Sequence, residues 1–167
     1  GTDPVEWNGG QSTSWSDPNN WSQFIVPDAT TNVLLKAGAT HYPTLAANAN
    51  CKDIVIESGA SLIDMGDPNT NTPYLTVHGT ATFNHPAISA GQWHLISSPV
   101  VGAVSGMFKD QYLRSYDPAT GYKEVTALDV TLNPMEGYAL WPVTNANAAP
   151  YVSTTGTGFN AGNINKS

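Results

Sequence analysis

A single cysteine, Cys51, stands in the chain, so no disulfide can form within it. Small eukaryotic secreted domains usually carry several. Cations are almost as scarce: six Lys and Arg face thirteen Asp and Glu, a net charge of −7. A polyphosphate partner demands a basic patch. Six scattered cations build none, which sets aside nucleic acid and anionic membrane surfaces as partners. Charge of either sign is thin, at 11% of residues, against about a quarter in ordinary globular chains. A cytosolic protein of this size would carry more Lys and Glu. No apolar run approaches the ~18 residues of a membrane span, so membrane insertion is not expected. Helical periodicity is missing too. A helical stripe needs apolar residues at i, i+3, i+4 and i+7 over about ten positions, and the nearest candidate, Ala46–Ala49, is short and broken by Asn48.

What abounds is glycine (15) and proline (12), spread along the whole chain, with polarity supplied by Asn, Thr, Ser and Gln. That composition excludes a long-helix protein, a coiled coil and a charge-driven disordered tail. The 167 residues suffice for one compact domain or two small ones with a real core. Low charge with abundant Asn, Thr, Gly and Trp is typical of bacterial extracellular β-proteins. The chain opens on Gly1 without Met. Gly1 reads as a residue left by cleavage of an expression tag, with a signal peptide expected upstream in the natural protein. Secretion or display at the cell surface is the expected location.

Short alternating runs closed by Gly, Pro, Asn or Asp recur throughout, the signature of strands. The first segment sets Trp7, Trp15 and Trp21 among turn formers, with Asp17-Pro18-Asn19-Asn20 as a strong turn. It has few aliphatic residues, so the indoles must supply its core. Each can bury ~200 Å2 and still aim its N–H at a carbonyl. Val33-Leu34-Leu35, Ile54-Val55-Ile56 and Leu75-Thr76-Val77 follow at intervals of 21 residues, each before a small-residue turn holding Gly38, Gly59 or Gly79. A period near twenty predicts a short right-handed parallel β-solenoid of about three coils. In it Val33, Ile54 and Leu75 would stack, as would Leu35, Ile56 and Val77. An antiparallel sandwich with strands at this spacing is the bland alternative. So few coils need covers, and the Trp segment and the second half of the chain are the candidates.

The second half carries antiparallel signals. Gln92–Ser98 is a strand stopped by Pro99, and Gln111–Tyr116 is another. Asp117-Pro118-Ala119-Thr120-Gly121 suits a hairpin, with Asp and Pro opening a type I turn and Gly in the left-handed position after it. Tyr122–Val125 is its partner strand, and Tyr138–Trp141 is a buried strand stopped by Pro142. The predicted fold class is all-β: a Trp-rich cap and short solenoid over residues 1–88, then a small antiparallel sandwich-like domain over 89–167. The tail from Gly156 to Ser167 offers no closing apolar strand, so the natural protein is expected to continue.

The pattern Trp7-x-Gly9, Ser14-Trp15, Asn20-Trp21 and Val26-Pro27, followed by the apolar triplets and Pro43, resembles a known opening. It is that of large secreted and cell-surface proteins of Bacteroidetes, many exported by the type IX system and described as adhesin-like. Gly91-Gln92-Trp93-His94-Leu95-Ile96-Ser97-Ser98-Pro99, with Phe108, Tyr116-Asp117 and Gly137-Tyr138-x-Leu140, resembles the module that often follows. The order of these motifs is more specific than any one of them, and together they cover most of the chain. The resemblance implies a non-catalytic module and carries no catalytic residues over. The sorting domain of such proteins lies at their far C-terminus.

Few constellations suggest chemistry. Asp64, Asp67, Asn69 and Asn71 place four oxygen-bearing side chains in one loop, and Ca2+ takes six to eight oxygens. The spacing differs from an EF-hand loop and no Glu closes it, so capping of the loop's own backbone is the simpler role. No other cofactor is expected. His41, His78, His85 and His94 lack the spacing of a zinc set. Ser97-Ser98 has no Gly-x-Ser-x-Gly elbow, and Cys51 reads as a stacked or half-buried thiol. Asp53, Glu57, Asp64 and Asp67 raise the question of glycan cleavage, which needs two carboxylates about 5–10 Å apart in a groove. Three coils offer a groove of only about 3 × 4.8 Å, and Arg114 is the only arginine to assist. Carbohydrate binding is the stronger rival, because sugar sites use aromatic platforms. Tyr112, Arg114 and Tyr116 share one face of a strand by its period of two, and Trp141 is a further candidate. The competing role for these aromatics is the core of a charge-poor β-domain, which the composition favours. The expected function is thus a non-catalytic adhesin-like or structural module of a bacterial surface protein. Its partner would be a cell-surface or extracellular protein or glycan, and its oligomeric state is left open. A carbohydrate-binding module is the alternative, and a polysaccharide lyase or hydrolase fragment a remote one.

Overall fold

The computed structural model describes residues 3–145, 149–153, 156 and 158–159. Among them run the strands β1 (Val5–Trp7), β2 (Val33–Leu35), β3 (Thr44–Leu45), β4 (Ala49–Cys51), β5 (Ile54–Ile56), β6 (Ile63–Asp64), β7 (Leu75–Val77), β8 (Ala81–Phe83), β9 (His94–Ile96), β10 (Tyr112–Asp117), β11 (Gly121–Glu124), β12 (Tyr138–Trp141) and β13 (Tyr151–Val152). The helical pieces among the described residues are two 3-10 turns, Pro18–Asn20 and Ser105–Phe108. The chain is all-β, as a turn-rich sequence without an apolar helical stripe requires. No helix among the described residues is long and apolar enough to cross a membrane.

Strands β1 to β8 pair in parallel within three sheets. β1, β2, β5 and β8 lie side by side, while β3 pairs with β6 and β4 with β7. The chain therefore passes through three sheets in turn, β2-β3-β4 and then β5-β6-β7, before returning to the first sheet at β8. Parallel neighbours need long crossovers, and each crossover here supplies the strands of the other two sheets. Across the first sheet, Val5, Val33, Ile54 and Ala81 form one register row and Trp7, Leu35, Ile56 and Phe83 another. All but Phe83 are buried. The alternating residues Glu6, Leu34, Val55 and Thr82 are partly exposed.

The 21-residue spacing assigns Leu75 and Val77 to these two rows, and the structure corrects that. Leu75 pairs with Ala49 and Val77 with Cys51. Ala81 and Phe83 stand beside Ile54 and Ile56 instead. The cause is loop length. Residues 46–48 join β3 to β4, whereas residues 65–74 join β6 to β7. The longer loop carries the return to the first sheet from residue 75 to residue 81, so a matching apolar triplet falls on a different sheet.

Both outer edges of the first sheet are covered, which blunts edge-to-edge pairing. Beyond β1, Trp21 bridges Trp7 antiparallel. The Ser22 N–H donates to the Glu6 carbonyl at 2.8 Å, and the Asn8 N–H to the Asn20 carbonyl at 2.9 Å. Trp7 and Trp15 each meet Trp21 edge to face, with ring centres 4.8 Å apart. The Trp7 indole donates to the His41 carbonyl and the Trp21 indole to the Trp15 carbonyl; the buried Trp15 N–H has no partner among the described residues. Buried Asn20 ties the segment together. Its Oδ1 accepts from the Gln11 and Ser12 N–H groups, and its Nδ2 donates to the Ser12 hydroxyl and the Ser14 carbonyl. Gly9 adopts φ +56°, and a Cβ there would stand 1.9 Å from the His41 carbonyl oxygen, so only glycine fits.

Beyond β8, β13 arrives antiparallel from the far end of the chain. The Ser153 N–H donates to the Ala81 carbonyl, and the Ser153 hydroxyl accepts from the Ala81 N–H. This pairing crosses the division expected near residue 88. The remaining strands form an antiparallel sheet in the order β11-β10-β12-β9. Its inner residues Leu113, Tyr138 and Leu140 join Val100, Met107, Phe108 and Leu132 in a core cluster that extends without a break to Val5.

Candidate functional site

The β10–β11 hairpin owes its register to one turn. The Asp117 Oδ1 accepts the Ala119 N–H at 2.8 Å, the Thr120 N–H donates to the Asp117 carbonyl, and Gly121 takes φ +80°. That closes Asp117 against Gly121 and so sets Tyr116 opposite Tyr122 and Arg114 opposite Glu124. On the other side of β10, Tyr112 faces Trp141 and Arg114 faces Ala139, which in turn faces Leu95 on β9. Side chains alternate between faces. Leu113, Tyr138, Leu140 and Ile96 therefore point to the core, while Tyr112, Arg114, Tyr116, Tyr122, Leu95 and Trp141 share the outer face.

That outer face is aromatic and open. Tyr112 is 58% exposed, Tyr116 53%, Tyr122 58% and Trp93 45%, and Leu95 is 83% exposed. Trp93 meets Trp141 edge to face at 5.4 Å, and Tyr116 meets Tyr122 in the same way at 5.1 Å. Between these two pairs lies Arg114. Its Nε and Nη2 donate to the Glu124 Oε1 at 2.6 Å, and its guanidinium carbon stands 4.9 Å from the Trp93 ring centre. Ala139 is the small residue in the middle, and above it opens a depression of about 270 Å3 walled by Trp93, Leu95, Arg114 and Tyr122. The core role that composition favours fails for Trp93, Tyr112, Tyr116 and Tyr122, which are exposed; Tyr138 is buried and Trp141 partly buried, and the inner face holds Leu113 and Leu140.

All four residues singled out from the sequence, Tyr112, Arg114, Tyr116 and Trp141, thus come together on one face. Trp93, Leu95, Tyr122 and Glu124 belong with them and were not in that set. Their signal is in the chain. Extending the hairpin register outward from Asp117–Gly121 brings Tyr122 and Glu124 to the face, and alternation along residues 93–96 brings Trp93 and Leu95 there. On the opposite face of β11, Lys123 pairs with Asp117 at 3.0 Å. That hydrogen bond, with the Ala119 N–H behind it, holds the Asp117 carboxyl down at about 2.

The loop of Asp64, Asp67, Asn69 and Asn71 is built differently. Asp64 Oδ1 accepts from the Gly66 and Tyr74 N–H groups, both at 3.0 Å, and its Oδ2 from the Leu75 N–H at 2.8 Å. Asp67 accepts the Asn69 N–H at 2.8 Å, which lowers its carboxyl below the usual range. Asn71 takes φ +58°. Both carboxylates thus cap the loop's own backbone, and a cation here would compete with those donors. Among the described residues no three His, Cys, Asp or Glu side chains converge as a metal set.

His41, His78, His85 and His94 bond to Gly9, Asn50, Pro86 and Ser89 respectively, and His85 and His94 line one cavity. Ser98 is buried with its hydroxyl on the Val100 carbonyl at 2.7 Å. Burial, with Asp53 adding to it, pushes the Cys51 thiol up to about 12, which removes its thiolate at neutral pH. Asp53 accepts the Thr80 N–H at 2.8 Å, with Gly79 packed against its carboxylate. No protein-family model, curated protein or solved structure matches this chain.

Proposed function

We propose that this chain is a non-catalytic module of a secreted or cell-surface bacterial protein, adhesin-like in kind, and that it binds carbohydrate through the outer face of the β9–β12 sheet. The observation that carries this reading is the exposure of Trp93, Tyr112, Tyr116 and Tyr122 on one face, with Arg114 and Glu124 among them. Apolar ring faces cost free energy in water, and a pyranose presents a matching apolar face of C–H groups with polar groups at its rim. Tyr112 and Tyr116 are four positions apart on one strand, about 13 Å, so the two aromatic clusters suit an oligosaccharide better than a single sugar. The parallel pairing of β1, β2, β5 and β8 supports a short right-handed β-solenoid for the first part, closed at one end by the Trp cap. The motif order that resembles Bacteroidetes surface proteins supports the extracellular setting.

A second reading, a passive spacer, is favoured by the covering of both edges of the first sheet. Glycan-array binding of the purified chain, with and without calcium, separates the two. Saturable binding to one glycan class is expected, weakened at least about tenfold (about 1.4 kcal/mol) in Trp141→Ala with folding unchanged by circular dichroism. A blank array for the unmodified chain removes the carbohydrate reading and leaves the spacer.

A further inference from the structure

This inference rests on the carbohydrate reading and concerns which glycans the face accepts. Arg114 is the only arginine of the chain and the cation at the centre of the outer face. A guanidinium fork is the natural partner of a carboxylate, so an unpaired Arg114 would favour uronic or sialic acids. Arg114 is paired. Its Nε and Nη2 both donate to the Glu124 Oε1 at 2.6 Å, and the hairpin register holds the two residues opposite each other. The guanidinium carbon stands over the Trp93 ring, 4.9 Å from its centre. The neighbouring cation on β11, Lys123, is bound to Asp117 on the other face. The whole chain carries −7, a field that repels anions further. An exposed ion pair adds little to folding, so stability does not explain a carboxylate beside an aromatic platform.

We propose that the face is selective for neutral glycans and that Glu124 is the residue that makes it so. Its carboxylate occupies the Nε–Nη2 edge of the Arg114 guanidinium and sets a negative charge beside the cation that an acidic sugar would seek. The depression over Ala139, walled by Trp93, Leu95, Arg114 and Tyr122, then receives a neutral pyranose by stacking and apolar contact. Discrimination by an occupied donor is a repulsive device: it weakens the wrong ligand more than it strengthens the right one.

The test is a titration of the full chain, Glu124→Gln and Trp141→Ala with equal-length oligosaccharides. A neutral panel holds cello-, laminari- and manno-oligosaccharides, and an acidic panel oligogalacturonate and oligomannuronate. The unmodified chain is expected to bind a neutral series at least about tenfold more tightly than either acidic one. Glu124→Gln is expected to gain about tenfold for an acidic series, with the gain shrinking at higher salt and neutral affinity kept. If the unmodified chain binds both panels alike, or Glu124→Gln keeps neutral binding and gains nothing, the assignment of Glu124 is overturned while the carbohydrate reading stands. Loss of all binding in a folded Glu124→Gln makes Glu124 a positioning residue and also overturns it. If neither panel binds the unmodified chain, the carbohydrate reading fails and this inference falls with it.

Discussion

Around the parallel strands, Trp21 is wholly buried and touches Trp7 and Trp15 edge to face. On the antiparallel sheet, Trp93 is nearly half exposed and meets a partly buried Trp141 in the same geometry. The residue type and the contact are alike, and the role is opposite. The cap segment holds few aliphatic residues, so its indoles have to be the core. The antiparallel sheet has Leu113, Tyr138 and Leu140 on its inner face, in one core cluster with Phe108 and Leu132. Its outer aromatics Trp93, Tyr112, Tyr116 and Tyr122 stay exposed, and folding is expected to depend on them little. An aromatic cluster that folding does not need is the one to read as a binding surface.

The contrast is sharpest in a pair of substitutions. Trp21→Ala is expected to lower unfolding free energy by about 3–5 kcal/mol, whereas Tyr116→Ala is expected to stay within about 0.5 kcal/mol. Denaturant midpoints at constant slope report both. Equal losses would mean that the outer face is part of the core after all.

A smaller effect is expected at alkaline pH, and it probes the buried side of the comparison. Burial raises the Cys51 thiol from 9.0 to about 12 and the Tyr151 phenol from 10.0 to about 12. The unfolded chain releases these protons first, so their stabilisation is complete below about 9 and is lost as pH climbs toward about 12. The loss should amount to roughly 2–4 kcal/mol for each group across that window. Cys51→Ala should flatten its lower part. An unchanged pH profile in that variant would show that the thiol is not buried in solution.

The smallest of the three concerns the loop between β6 and β7. Asp64→Ala leaves three backbone N–H donors without their acceptor and should cost about 1–3 kcal/mol. A chelator should leave the thermal midpoint of the unmodified chain where it is. A drop on chelation would instead mark the loop as a cation site.

Some of this was legible along the chain. Asp117-Pro118-Ala119-Thr120-Gly121 carries its turn in its own residues, and from it follow the pairings of Arg114 with Glu124 and of Tyr116 with Tyr122. The tryptophan cap was legible from the lack of aliphatic residues beside it. The register rows were legible from Val33 to Ile54 and failed at Leu75, because residues 65–74 lengthen one loop without leaving any mark on the period. Loop length changes chain entropy only slowly, so a repeat tolerates such insertions and its spacing drifts.

What the sequence by itself determined is local: the all-β character, the turns, the hairpin register, and which side chains share a face. Those properties arise from a few neighbouring residues, through backbone preference at Gly, Pro and Asp and through the period of two. The tertiary structure alone decided which face of β10 looks outward, and that β13 returns from the far end of the chain to close the sheet at β8. Alternation divides a strand into two faces without saying which one is covered. Burial is settled by what packs against it from elsewhere: here the inner leucines share a core cluster with Phe108 and Leu132, and Tyr112, Tyr116 and Tyr122 are left to water.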